Sequence, residues 1–211
     1  MDGQHVGTDG RVTSLKASHL MRRKLARLDL TLTIDEDLIR RVWQNRPAVP
    51  SRPIFEHTPD YTGESWQARI QRFTEWMKDR NLDYYVISAL DELAWLLNIR
   101  GSDIDFNPLC VAYLVIGSKG DHALFAAARP GFTAWTEGLP VGQKLEVQDY
   151  DKASSYLRRP NALNADIGTD PDTIPARLAM HAGQHITTQH SSPVTPRKAN
   201  QPHIPPRPLP K

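Results

Sequence analysis

The 211-residue sequence has a single cysteine, Cys110. No disulfide can form within the chain, and this thiol inventory fits a reducing compartment. Apolar runs of about 18 residues are absent, which excludes a membrane-spanning helix, and the opening MDGQHVGTDGRV lacks the apolar centre of a secretory signal. Charge of one sign is lacking too: 26 Lys and Arg against 24 Asp and Glu leave a net +2. Whole-chain charge therefore points to neither nucleic acid nor an anionic membrane surface. Internal repeats of about 20–50 residues are missing, so solenoids and propellers are excluded. The expectation is a soluble, cytoplasmic protein with no nucleic-acid and no membrane partner.

What is present is one domain's worth of ordinary globular composition, 39% hydrophobic and 24% charged, together with 17 prolines. Seven of those prolines (Pro193, Pro196, Pro202, Pro205, Pro206, Pro208 and Pro210) fall in the last 21 residues. A fixed φ and a missing N–H exclude helix or central strand there, which predicts a disordered, polyproline-like tail. A second cluster, Pro47, Pro50, Pro53 and Pro59, separates a short N-terminal piece from a central body.

In the N-terminal piece Ala17, Leu20, Met21, Leu25 and Leu28 recur at helical spacing behind a capping Ser14. A second short helix carries Leu38, Val42 and Trp43, with Asp35 or Asp37 near its start. Helices this short are marginal in water without a packing partner. In the central body Trp66, Ile70, Phe73 and Met77 lie on one helical face, with Thr62 or Ser65 as cap and Asn81 as stop. A buried strand over 84–90 follows, then a helix over 91–97 with an acidic first turn. Strands over 109–116 and 122–127 flank the turn at 117–121, and a strand over 145–150, a helix over 151–158 and a strand over 163–167 complete the series. Helices interleaved with strands predict an α/β layer architecture.

Within residues 88–117, Leu90-Asp91-Glu92, Ala94-Trp95-Leu96, Asn98, Arg100-Gly101, Asp103 and Asn107-Pro108 fall at fixed intervals. This stretch resembles the second domain of the three-domain cytosolic Xaa-Pro aminopeptidases (aminopeptidase P), creatinase-like metallopeptidases. WQNRPAVPSRPIFEHTPDYTGESW is similar to the linker entering that domain. VGTDGRVTSLKAS resembles the end of the family's first domain, and Ser192-Pro193-Val194 with Lys198-Ala199 the approach to its third.

The resemblance implies a creatinase N-terminal-like domain, a mixed β-sheet flanked by helices. It divides the chain into a helical remnant of a first domain at 1–45, the second domain at 46–190, and a linker with the proline-rich tail at 191–211. The family's third domain, of pita-bread shape, holds two divalent metal ions, usually manganese, on two aspartates, one histidine and two glutamates. None of those ligands can be assigned here. The expectation is a truncated chain without a cofactor of its own, inactive by itself towards the family's substrates, peptides with proline second. Two other readings stay open: a regulatory module that forms a homo- or hetero-dimer with a full-length homologue, and a gene-model product without function.

Arg100, Asp103 and Asn107 form the candidate domain-interface rim, because polar residues at a helix-to-strand turn sit where loops carry function. The architectural alternative has Gly101 supplying a turn, Asn107-Pro108 starting a strand, and Arg100 pairing with Asp91 or Asp103. His181 and His185 have the i, i+4 spacing of a zinc pair, yet HAGQH lacks the glutamate of HExxH and contains Gly183. Surface histidines are the better reading. Cys110 sits between Leu109 and Val111 and reads as a small buried residue; no GxSxG is present. Arg11, Lys16, Arg22, Arg23, Lys24 and Arg27 surround the N-terminal apolar stripe and suit either a basic helix touching RNA or lipid, or solvated charge, which is the commoner case. PPRPLPK has the composition of an SH3 ligand.

Overall fold

The computed structural model describes residues 4–35, 37–127, 139, 142–159, 164–183 and 186–188. The chain begins with strand β1 (His5–Gly7), helix α1 (Leu15–Ala26) and strand β2 (Thr31–Thr33). Ser14 caps α1 by accepting from the Ala17 N–H. β1 and β2 pair in parallel, His5 opposite Thr31, so the N-terminal piece is a βαβ unit rather than helices alone. A one-turn helix α2 (Leu38–Val42) follows, capped by Asp37.

Next come β3 (Phe55–Glu56), α3 (Pro59–Thr62), α4 (Trp66–Lys78), β4 (Tyr84–Ile87), α5 (Leu90–Leu96) and β5 (Ile99–Arg100). The remainder is β6 (Ala112–Gly117), β7 (Asp121–Ala126), β8 (Lys144–Asp149), α6 (Lys152–Leu157), β9 (Ile167–Thr169), α7 (Ala176–His181) and β10 (Ile186–Thr188).

The expected mixed sheet flanked by helices is present. Six strands run in the order β10-β9-β4-β6-β7-β8, with β4 inside the sheet as predicted. β4–β6 and β6–β7 are antiparallel, while β4–β9, β9–β10 and β7–β8 are parallel. Period-two alternation sends Tyr85, Ile87, Leu114, Ile116 and Leu124 to one face, where they meet Trp66, Ile70, Phe73 and Met77 of α4. Val86, Val115, Ala123 and Phe125 go to the other face, against Leu157 of α6 and Leu178 of α7. All four predicted α4 residues are buried. Ser65 is the cap, and Asn81, in the left-handed region at φ 54°, ends the turn beyond the helix.

Several local expectations shift. β4 stops at Ile87, because Leu90 already opens α5. The last predicted strand lies later, at β9, and α7 and β10 follow it. α1 turns a different face inward: Ser18 is buried, while Leu20, Met21 and Leu28 are exposed. The partner that secures this helix is distant in sequence. The Leu15 N–H donates to the Ile174 carbonyl at 2.9 Å, the Ala176 N–H to Thr13 at 2.8 Å and the Arg177 N–H to Gly10 at 2.9 Å. His185 and the proline-rich tail after residue 190 lie outside the described residues.

Candidate functional site

The second half of the strongest sequence motif, Gly101 to Pro108, forms a hairpin between β5 and β6, and the first half lies on α5 and the turn after it. Gly101 N–H donates to the Pro108 carbonyl at 3.2 Å, Asp103 N–H to Leu109 at 3.1 Å, and Asn107 N–H to Ile104 at 3.2 Å. Ile104 and Asn107 form an antiparallel bridge, leaving Asp105 and Phe106 at the tip. Phe106 has φ 62°, a region where a bulky side chain is uncommon, and its ring is fully exposed.

Asp103 braces this hairpin. Its Oδ1 accepts the Arg52 N–H at 2.8 Å and its Oδ2 the Val111 N–H at 2.8 Å, so one buried carboxylate joins three segments. Arg52 also donates to the Ser102 carbonyl at 2.8 Å and lies 3.7 Å from Asp105. Among the described residues Arg100 pairs with no carboxylate: its Nη1 donates to the carbonyls of Ala94 at 2.9 Å and Ile99 at 2.8 Å. Burial lowers its pKa. Asn107 is exposed beside the tip. Gly101 is needed for close approach rather than for a turn, since a Cβ there would lie 2.7 Å from the Cys110 Cβ. Cys110 is buried, and burial, with Asp103 near, pushes its thiol up to about 11, which suits a packed side chain and not a nucleophile.

Behind the hairpin lies a polar hub that the motif only half announced. Arg69, on the buried side of α4, donates to Asn98 Oδ1 at 2.6 Å, to the Thr62 carbonyl at 3.1 Å and to the Trp95 carbonyl. Its guanidinium carbon lies 4.2 Å from the centroid of the Trp95 ring. Asn98, at φ 52°, donates to Thr62 Oγ1 at 3.0 Å and to the Glu64 carbonyl at 2.7 Å. Asn98 is thereby a structural keystone, and Arg69 is the residue the sequence reading missed.

The other candidates do not converge. α7 ends at His181, which is buried rather than a surface histidine, and Gly183 follows in the left-handed region; His185 lies outside the described residues. His181 Nε2 meets the Arg158 guanidinium. Asp91 Oδ1 accepts the Glu92 N–H at 3.0 Å, and both Asp103 oxygens are committed to backbone donors. Among the described residues no three His, Cys, Asp or Glu side chains are grouped to hold a metal ion, so the donor set here does not fit a dinuclear centre. Among the same residues no helix is long and apolar enough to cross a membrane.

Comparison with known proteins places this geometry. The family model of the creatinase/prolidase N-terminal domain matches residues 45–202. A probable Xaa-Pro aminopeptidase P of Coprinopsis cinerea is 30% identical over 197 residues, covering 90% of this chain and 31% of the relative. Xaa-Pro aminopeptidase 1 of Dictyostelium discoideum is 31% identical over 175 residues, 79% of this chain and 27% of the relative. The crystal structure of the X-prolyl aminopeptidase of Caenorhabditis elegans, described as a cytosolic enzyme with a di-nuclear active site, superposes with a TM-score of 0.79 at 23% identity. That match covers 94% of this chain and 33% of the nematode chain. The chain thus spans about a third of the length of the relatives it matches.

Proposed function

Because the chain belongs to the creatinase/prolidase N-terminal domain family, we propose that it acts as the non-catalytic second domain of an Xaa-Pro aminopeptidase. Its hairpin, with Arg100, Asp103, Asn107 and the exposed Phe106, is the rim on which a catalytic domain docks. The observation that carries this reading is Phe106: a bulky ring held at φ 62°, fully exposed, on a hairpin whose base is locked by the two hydrogen bonds of Asp103. Left-handed strain in a bulky residue persists where surrounding structure over-determines it, commonly at binding sites.

In this reading the family reaction, metal-dependent release of the first residue from peptides with proline second, belongs to residues outside this domain. Inactivity of the chain by itself is part of this proposal. A cytoplasmic setting, that of the nematode enzyme, is part of the same proposal. The test is an assay of the purified chain with an Xaa-Pro peptide and Mn²⁺, with the Dictyostelium relative as positive control. No release is expected. Turnover that disappears on chelation would overturn the reading.

Exposure of Phe106 also favours the second reading, a module that pairs with a full-length homologue. Co-elution of the two proteins on size exclusion, lost in Phe106→Ser, distinguishes it from a domain that docks only within its own polypeptide.

A further inference from the structure

Four cations, Arg22, Arg23, Lys24 and Arg27, fall within six residues on and just beyond α1, and the fold leaves them exposed. The helix has no acidic residue, and Arg22, Arg23 and Lys24 are exposed on it, with exposed Arg27 one residue beyond its end. Among the described residues these four have no carboxylate partner, whereas Lys16 at the helix start meets Asp172 at 2.8 Å. His19, Arg22 and Arg23 line one open hollow against the helix. Alongside the cations stand the aliphatic side chains Leu20, 43% exposed, Met21, 39%, and Leu28, 68%. The whole-chain net charge of +2 conceals this local concentration.

We infer that α1 is a docking face for an anionic phospholipid surface, with Arg22, Arg23, Lys24 and Arg27 on the headgroup phosphates and Leu20, Met21 and Leu28 in the acyl boundary. Complementary charge selects an anionic partner, and the aliphatic residues decide its class. An RNA-binding face stacks bases on aromatic rings, and no Phe, Trp or Tyr precedes Trp43. A basic helix with aliphatic flanks has instead the make-up of helices that lie in a membrane interface. α1 is already capped by Ser14 and pinned through Leu15 to Ile174, so docking requires no coupled folding of the helix.

The experiment is flotation of the intact chain with vesicles of phosphatidylcholine alone and of phosphatidylcholine with about 30% phosphatidylserine, where each surface cation adds a binding increment. Flotation with the anionic vesicles only is expected. It should be lost in about 0.5 M salt, where charge is screened over a few ångströms. The variant R22Q/R23Q/K24Q/R27Q should weaken partition by at least about a hundredfold. Leu20→Gln with Met21→Gln should weaken it by about tenfold or more, and Lys119→Gln, on another face, should leave it unchanged. Circular dichroism melts confirm that each variant is folded. Equal flotation with neutral vesicles, no flotation with anionic ones, or full retention in the fourfold variant overturns the inference. Salt-sensitive binding of a single-stranded RNA without flotation also overturns it, and assigns the face to nucleic acid.

Discussion

Arg69 on α4 donates to Asn98 Oδ1 at 2.6 Å, and through that bond the packing helix and the turn leading into the hairpin become one piece. Arg69 is 3% exposed and serves the Thr62 and Trp95 carbonyls, Asn98 Oδ1 and, at 3.4 Å, Glu64 Oε2. Its removal leaves buried carbonyls without donors. Arg69→Met should cost about 3–5 kcal/mol, and Arg69→Lys should recover little, since one ammonium cannot span a fork of acceptors. Urea denaturation followed by Trp fluorescence measures both. A loss below about 1 kcal/mol for Arg69→Met would show the hub to be dispensable.

Phe73 is 1% exposed, and its ring meets Trp76 and Tyr85 edge-on at centroid distances of 5.4 and 5.1 Å. Phe73→Ala should cost about 3–5 kcal/mol, a large fraction of the stability of a domain this size. Broadening or loss of the cooperative thermal transition is the readout.

Much of this core was legible in the sequence. Trp66, Ile70, Phe73 and Met77 obey helical periodicity, and β4, β6 and β7 are long enough to show their apolar character. β1 and β2, three residues each, are too short to carry a pattern. β9 contains Gly168, which reads as a break; in the sheet it lies beneath Tyr85, where a Cβ would come within 2.5 Å of the ring. The inward face of α1 was not legible, because its partner is the 170–177 stretch. Arg69 gave a signal that was passed over: three residues after Trp66 and four before Phe73, it sits on the apolar face of α4. The motif contains Asn98 and Asp103 but not their bonds, which depend on Thr62 and Arg52 from the preceding linker.

Acid should weaken the fold before any carboxylate titrates. His122 is buried, and burial, opposed by Gln143 and Asp121, holds its pKa below the ordinary value of about 6.5. His181 is lowered by burial and by Arg158 and Arg177, with Asp35 opposing. Its Nε2 accepts from Arg158, so the neutral ring is the one the fold requires. The unfolded chain takes up these protons near pH 6.5 and the folded chain only at lower pH. Stability is therefore complete above about pH 7 and falls as pH drops below 6.5. Urea midpoints at pH 7.5 and 5.5 should differ accordingly, and His122→Gln with His181→Gln should shrink the difference. A midpoint that rises on acidification contradicts the sign.

Phe106 predicts a trade between stability and docking. Phe106→Gly relieves about 1–2 kcal/mol of left-handed strain and adds about 0.5–1 kcal/mol of unfolded-chain entropy, a net gain of about 0–1.5 kcal/mol. The variant should melt higher, and any co-elution of the unsubstituted chain with a full-length relative should be lost in it. A lower melting point would mean that the ring is held by contacts rather than displayed.

Lys16 reaches Asp172 across 156 residues, beside the backbone bonds that tie residues 10–15 to 174–177. Such pairings raise contact order, and loop closure over that span comes late. During synthesis the βαβ unit leaves the ribosome ahead of the 170–177 stretch and waits, unlatched, until that stretch follows. A ribosome that stalls between the two therefore leaves a nascent chain whose basic helix is still without its anchor.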